Sequence, residues 1–191
     1  MESERTIYLL LTRSTTIPSR LIHLATRADY THVSLGLDGP AGPFYSFARK
    51  YPRLPLPGGF VIERPGAGYY ALHPQTPCCL YVLSVPRPVY NRLRHIVQWF
   101  AANRTLYRYN LLGLFGCLFS VGINREHHYF CSEFVAVVLQ GCGAVEFEKK
   151  LALVEPGDFT DISGAVLEYS GPVGDMVSWQ GDRTERYKYE Q

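Results

Sequence analysis

Hydrophobic and polar positions alternate in short blocks through most of the chain, and one long block is apolar on every side. Thr6 to Thr12 is rich in β-formers and predicts a buried strand. From Ile17 to Ala28, apolar residues at 17, 21, 24 and 25 follow helical spacing behind a Thr/Pro opening. Thr31 to Leu37 alternates Val33, Leu35 and Leu37 with His32, Ser34 and Gly36, which predicts a strand with one apolar and one small polar face. Asp38-Gly39-Pro40 supplies turn chemistry, and Phe44 to Arg49 is its expected hairpin partner.

Further along, Tyr51 to Gly59 reads as loop, Gly59 to Arg64 and Cys79 to Val85 as strands, and Pro65 to Pro77 as turns between them. Val89 to Ala102 carries Leu93, Ile96, Val97 and Phe100 on one helical stripe, and Leu111 to Val121 predicts a second, buried helix. Cys131 to Gln140 is apolar nearly all round, so its helix belongs inside the fold, and Gly141 and Gly143 stop it. Pro156 to Phe159 reads as a short helical turn and Val166 to Tyr169 as a last strand. The tail after about residue 172 is polar and expected to fray. Strands and helices group rather than alternate, which predicts an α+β fold in one domain, residues 1–191: a small antiparallel sheet with helices on one side.

Composition narrows the function. Nineteen Lys+Arg against 17 Asp+Glu give a net charge of +2, which argues against nucleic acid as a partner. The 14% of aromatic residues excludes a disordered chain. The apolar run Ile7 to Leu11 is shorter than a secretory h-region, so a cytoplasmic protein is expected. Five cysteines, an odd number without framework spacing, are read as free thiols. The uncharged stretch Asn110 to Asn124 is too short to span a bilayer. Its Leu111 to Ile123 core is a candidate for peripheral membrane contact or for holding an acyl chain.

Two places carry candidate chemistry. In Tyr129-Phe130-Cys131-Ser132-Glu133-Phe134, Cys131 falls in the first turn of the apolar helix, where unpaired N–H groups and the dipole favour a thiolate and would hold an oxyanion. In Tyr30-Thr31-His32-Val33-Ser34, His32 lies on the polar face of its strand and is suited to taking a thiol proton. Alone, Cys131 reads as a buried structural cysteine and His32 as a half-buried histidine. Together they have the ingredients of nucleophilic cysteine catalysis. Tyr107, Tyr109 and Tyr129 are candidate oxyanion donors as well as candidate core aromatics. Glu133 suits the helix dipole, or a pairing with Arg125 or a tyrosine hydroxyl, without a catalytic role. His127 and His128 with Cys131 match no common zinc spacing, so no metal and no cofactor are expected.

The segments THVSLGLD (31–38), FYSFARK (44–50), GFVIE (59–63), YRYN (107–110) and YFCSEFVA (129–136) resemble the circularly permuted branch of the NlpC-type papain-like cysteine hydrolases, the broad group that also contains lecithin:retinol acyltransferase. The order of His32 before Cys131 is the permuted order. The resemblance implies a permuted papain-like fold with a buried nucleophile helix, a Cys131 nucleophile and a His32 base. It also implies a third polar residue that orients the histidine. The hairpin where that residue is expected, Phe44 to Phe47, has no His, Asn, Asp, Gln or Glu. Ser46 is the candidate by strand parity and Glu63 the reserve. The implied activity is a peptidase or amidase. The alternatives are a lipid-directed acyltransferase or thiol hydrolase on acyl-lipid, and a non-catalytic binding member of the fold.

Overall fold

The computed structural model describes residues 4–13, 29–49, 58–109, 127–176 and 178–179. The helices expected over 17–28 and 111–121, the contact segment Leu111 to Ile123, Cys117, Arg125 and most of the 51–59 loop lie outside those residues.

The fold is α+β. Six strands form one antiparallel sheet: β1 (Glu4–Thr12), β2 (His32–Gly36), β3 (Phe44–Arg49), β4 (Gly58–Glu63), β5 (Pro77–Pro86) and β8 (Ala165–Pro172), in the order β4-β3-β2-β1-β5-β8. Between them lie α1 (Gly68–Leu72), α2 (Arg87–Ala102) and α3 (Cys131–Gly141). Arg108–Tyr109 (β6) and His128–Tyr129 (β7) form a small parallel pair that leads into α3, which the sequence patterns did not predict. The short helix α1 falls inside a stretch expected to be turns.

The register follows from burial on both faces. On β1, Ile7, Leu9 and Leu11 face one core with Val33, Leu35, Phe47 and Phe60, under α2 and α3. Slipping β1 by one residue would turn that apolar set outward. The expectation that helices sit on one side only is corrected here. Leu10, Phe44, Cys78 and Leu80 face a second core closed by Tyr70 of α1 and by Val173 and Met176. This second cover is why Ser34 and Gly36, on the face read as small and polar, are buried. It also overturns the frayed tail as far as residue 176, because a helical turn over 173–176 buries two apolar side chains there.

Helix α3 is the innermost element. Phe134, Val135, Ala136, Val138 and Leu139 are all buried, and the helix packs on β2 and β3. Phe47 anchors the layer, meeting Phe60, Phe100 and Tyr107 edge-on and Phe134 at a tilt. Such ring pairs add specific geometry to the area they bury.

Gly36 is where the second core leaves no room for a side chain. Added there, a Cβ would lie 2.8 Å from Phe44 Cε1 and 3.2 Å from Tyr8 Cβ. Gly36→Ala is expected to cost about 1–3 kcal/mol in urea unfolding through overpacking. Gly66→Ala, with nothing within 4 Å of the new methyl, is expected to stay within about 0.5 kcal/mol of the parent.

Candidate active site

Three elements supply the site. Strand β2 opens at His32, whose register partner on β1 is Thr12. Strand β4 ends at Glu63, which pairs with Phe44 at the start of β3. Helix α3 opens at Cys131, directly after Phe130, whose extended backbone (φ −104°, ψ 173°) makes it the N-cap. The first intrahelical bond runs from Phe134 N–H to the Phe130 carbonyl. The N–H groups of the turn that holds Cys131 therefore point out of the helix end without intrahelical partners.

His32 Nε2 lies 2.9 Å from Glu63 Oε2, with the two side chains 14% and 17% exposed. The Cys131 side chain is near enough to the same ring to raise its pKa. Burial by itself would lower the His32 pKa. The Glu63 carboxylate and the Cys131 side chain outweigh it, and the imidazole is held well above its ordinary 6.5. With Nε2 committed to the carboxylate, Nδ1 is the nitrogen left to serve the thiol.

Ser46 does not orient the histidine. Its hydroxyl is buried and donates to the Val33 carbonyl at 2.7 Å. Parity chose the right face but not the position along it. The β2–β3 pairing sets Leu35 opposite Tyr45 and Gly36 opposite Phe44, which carries Ser46 past His32 toward Ser34. A hydroxyl that short satisfies itself on the nearest carbonyl, whereas the longer glutamate of β4 reaches the ring. The reserve candidate, Glu63, is the residue bonded to the ring.

Two polar groups beside this pair carried no sequence signal. Tyr70 is buried on α1, its hydroxyl lies 3.4 Å from Thr12 Oγ1, and the Glu63 charge helps to raise its pKa after burial. Thr12 is likewise buried. An apolar-looking strand end and a five-residue helix in a turn-rich stretch hid them. Thr12 is the register neighbour of His32, and Tyr70 feels the Glu63 charge.

Tyr107 and Tyr129 serve packing. Tyr107 and Tyr129 lie in the aromatic cluster with Phe47 and Phe100, and no hydrogen bond links either phenol to His32 or Cys131. Burial raises both phenol pKa values, with the Glu133 charge adding to the shift at Tyr129. Tyr109 is the register partner of Tyr129 in the β6–β7 pair. Glu133 is 4% exposed, and burial pushes its carboxyl up to about 7 against the opposing hydrogen bond from the Phe130 backbone. Its Oε2 has no hydrogen-bond partner. Among the described residues no group of three or more His, Cys, Asp or Glu side chains gathers as a metal set, and no helix is long and apolar enough to cross a membrane.

The four described cysteines are free thiols. Cys78 faces the second core, and burial pushes its thiol up to about 12. Cys79 lies 2.8 Å from the Tyr30 hydroxyl. Cys142 is buried, its thiol bonded to the Leu139 carbonyl and its pKa raised mainly by burial.

The raised His32 pKa fixes a sign. A histidine that holds its proton more tightly when folded contributes stability in full below its unfolded value of 6.5, and loses it as pH rises through the higher folded value. Glu63→Gln is therefore expected to lower the His32 titration midpoint seen by NMR of the ring protons. The same variant should lose more stability at pH 6 than at pH 9. An unchanged midpoint would show that the carboxylate is not what holds the proton.

Comparison with protein-family models, with curated proteins and with solved structures found no match.

Proposed function

We propose that this chain is a cysteine hydrolase of the peptidase or amidase type, forming an acyl-enzyme at Cys131. The carrying observation is the His32 ring, bonded through Nε2 to Glu63 and with the Cys131 side chain near enough to raise its pKa. Nucleophile, base and orienter are the three parts such chemistry needs, and they come from α3, β2 and β4.

In the proposed reaction, His32 takes the Sγ proton and the thiolate attacks a carbonyl carbon. Outward N–H groups at the start of α3 receive the developing oxyanion. The tetrahedral species collapses with His32 giving its proton to the leaving amine. A water, deprotonated by His32, then attacks the thioester and releases the acid and free Cys131. Glu63 keeps the ring turned and stabilises the imidazolium in between. This assignment agrees with the permuted papain-like resemblance, including the His-before-Cys order and the burial of the nucleophile helix against the sheet. An amide or peptide substrate is the leading class. An acyl-lipid donor shares the same acyl-enzyme step.

At pH 6.5, iodoacetamide is expected to label Cys131 at least about tenfold faster than Cys78 or Cys142, whose thiols burial holds protonated. His32→Ala should remove most of that advantage. Incubation with a small p-nitrophenyl ester should release p-nitrophenolate and leave an acyl adduct on Cys131 by mass spectrometry, absent in Cys131→Ala. Slow, equal labelling of all the thiols, with no adduct, would favour a non-catalytic binding protein.

A further inference from the structure

The outer side of α2 and the turn that follows it carry a charge pattern the proposed chemistry does not use. Residues 87–108 contain five arginines, at 87, 92, 94, 104 and 108, and no Asp or Glu, within a chain of only +2 overall. All five are exposed. Arg92 donates from Nε and Nη2 to the Cys142 carbonyl. Neither ion pair among the described residues involves any of the five. Arginines with no acid partner among the described residues are poised for an external anion.

Large apolar side chains stand beside these cations. Trp99 is 55% exposed and Leu106 58% exposed, both far above what their size favours. Trp99 is held upright, edge-on to Phe100 and to Tyr107, so it is a rigid projection. Helical spacing puts His95 one turn and Arg92 two turns behind Trp99 on the same side, while Arg87 and Arg94 rim the other side of the exposed face. Arg104 and Arg108 flank Leu106 in sequence. The opposite stripe, Leu93, Val97 and Phe100, is buried in the core, so the arginine side is presented outward.

We infer that this surface docks the protein onto an anionic lipid bilayer. Arginines suit lipid phosphates, and a tryptophan with a leucine suits the boundary between headgroups and acyl chains. A nucleic acid would use the same cations but gains little from an exposed leucine, since its bases bind by stacking on aromatic rings. The surface lies on described residues and is separate from the segment 111–123. The inference does not depend on Cys131 being catalytic.

Flotation of the full chain with phosphatidylcholine vesicles, with and without phosphatidylglycerol, tests it. Binding is expected only with the anionic lipid, and it should fall steeply as salt is added. In a Trp179→Phe background the Trp99 emission should shift to the blue on binding. Each lost arginine is expected to weaken partitioning by about fivefold, so combined R94E, R104E and R108E should lose at least roughly 100-fold. W99A should remove the salt-resistant part of the binding. Iodoacetamide labelling of Cys131 should stay at the parent rate in these variants, showing that the site still folds. No flotation, equal flotation on neutral vesicles, or full binding by the triple variant would overturn the inference. Binding to a single-stranded RNA without binding to vesicles would also overturn it.

Discussion

The hydrogen bond between His32 Nε2 and Glu63 decides how the imidazole presents itself, and the chemistry of the site follows from it. A histidine at the first residue of a strand has little to stop its ring from turning. The carboxylate engages Nε2 and leaves Nδ1 as the other ring nitrogen. It also offsets the cost of burying a cation, since the imidazolium stays favoured even though burial opposes it. In register Glu63 stands across β3 from Gly36, the last residue of β2, so the contact with His32 runs obliquely across the sheet between side chains of β2 and β4.

Much of this was legible before any coordinates. Alternation gave β1, β2, β3 and β5 close to their observed limits, and the apolar run after Cys131 gave the interior helix. Cys131 and His32 carried local context, a thiol opening an apolar helix and an imidazole on a strand's small-residue face. Ser46 misled because alternation reports a side of the sheet, and only inter-strand pairing reports distance along it. The second core was invisible for a related reason. Its members come from β1, β3, β5, α1 and residues 173–176, each contributing one or two residues. No window of sequence contains enough of them to form a pattern.

The two-sided burial explains why polar residues lie deep in this small sheet. Ser46 and Ser132 bond to the carbonyls of Val33 and Val154, so their hydroxyls tie strand to strand and helix to loop. Ser34 Oγ and Glu133 Oε2 are buried without partners. An unsatisfied buried acceptor costs about 1–3 kcal/mol. That cost at Glu133 falls in the first turn of the helix that presents Cys131, where the backbone bond from Phe130 already fixes its carboxylate.

The separation of the reacting groups along the chain has a consequence for biosynthesis. Strands β2 and β4, with His32 and Glu63, precede α3 in chain order, so the Cys131 sulfur is the last of the three to be made. A nascent chain on the ribosome thus carries the imidazole and the carboxylate without the proposed nucleophile. Competence for the proposed chemistry arrives in one step, when α3 emerges and settles on β2 and β3, and shorter translation products would be chemically silent.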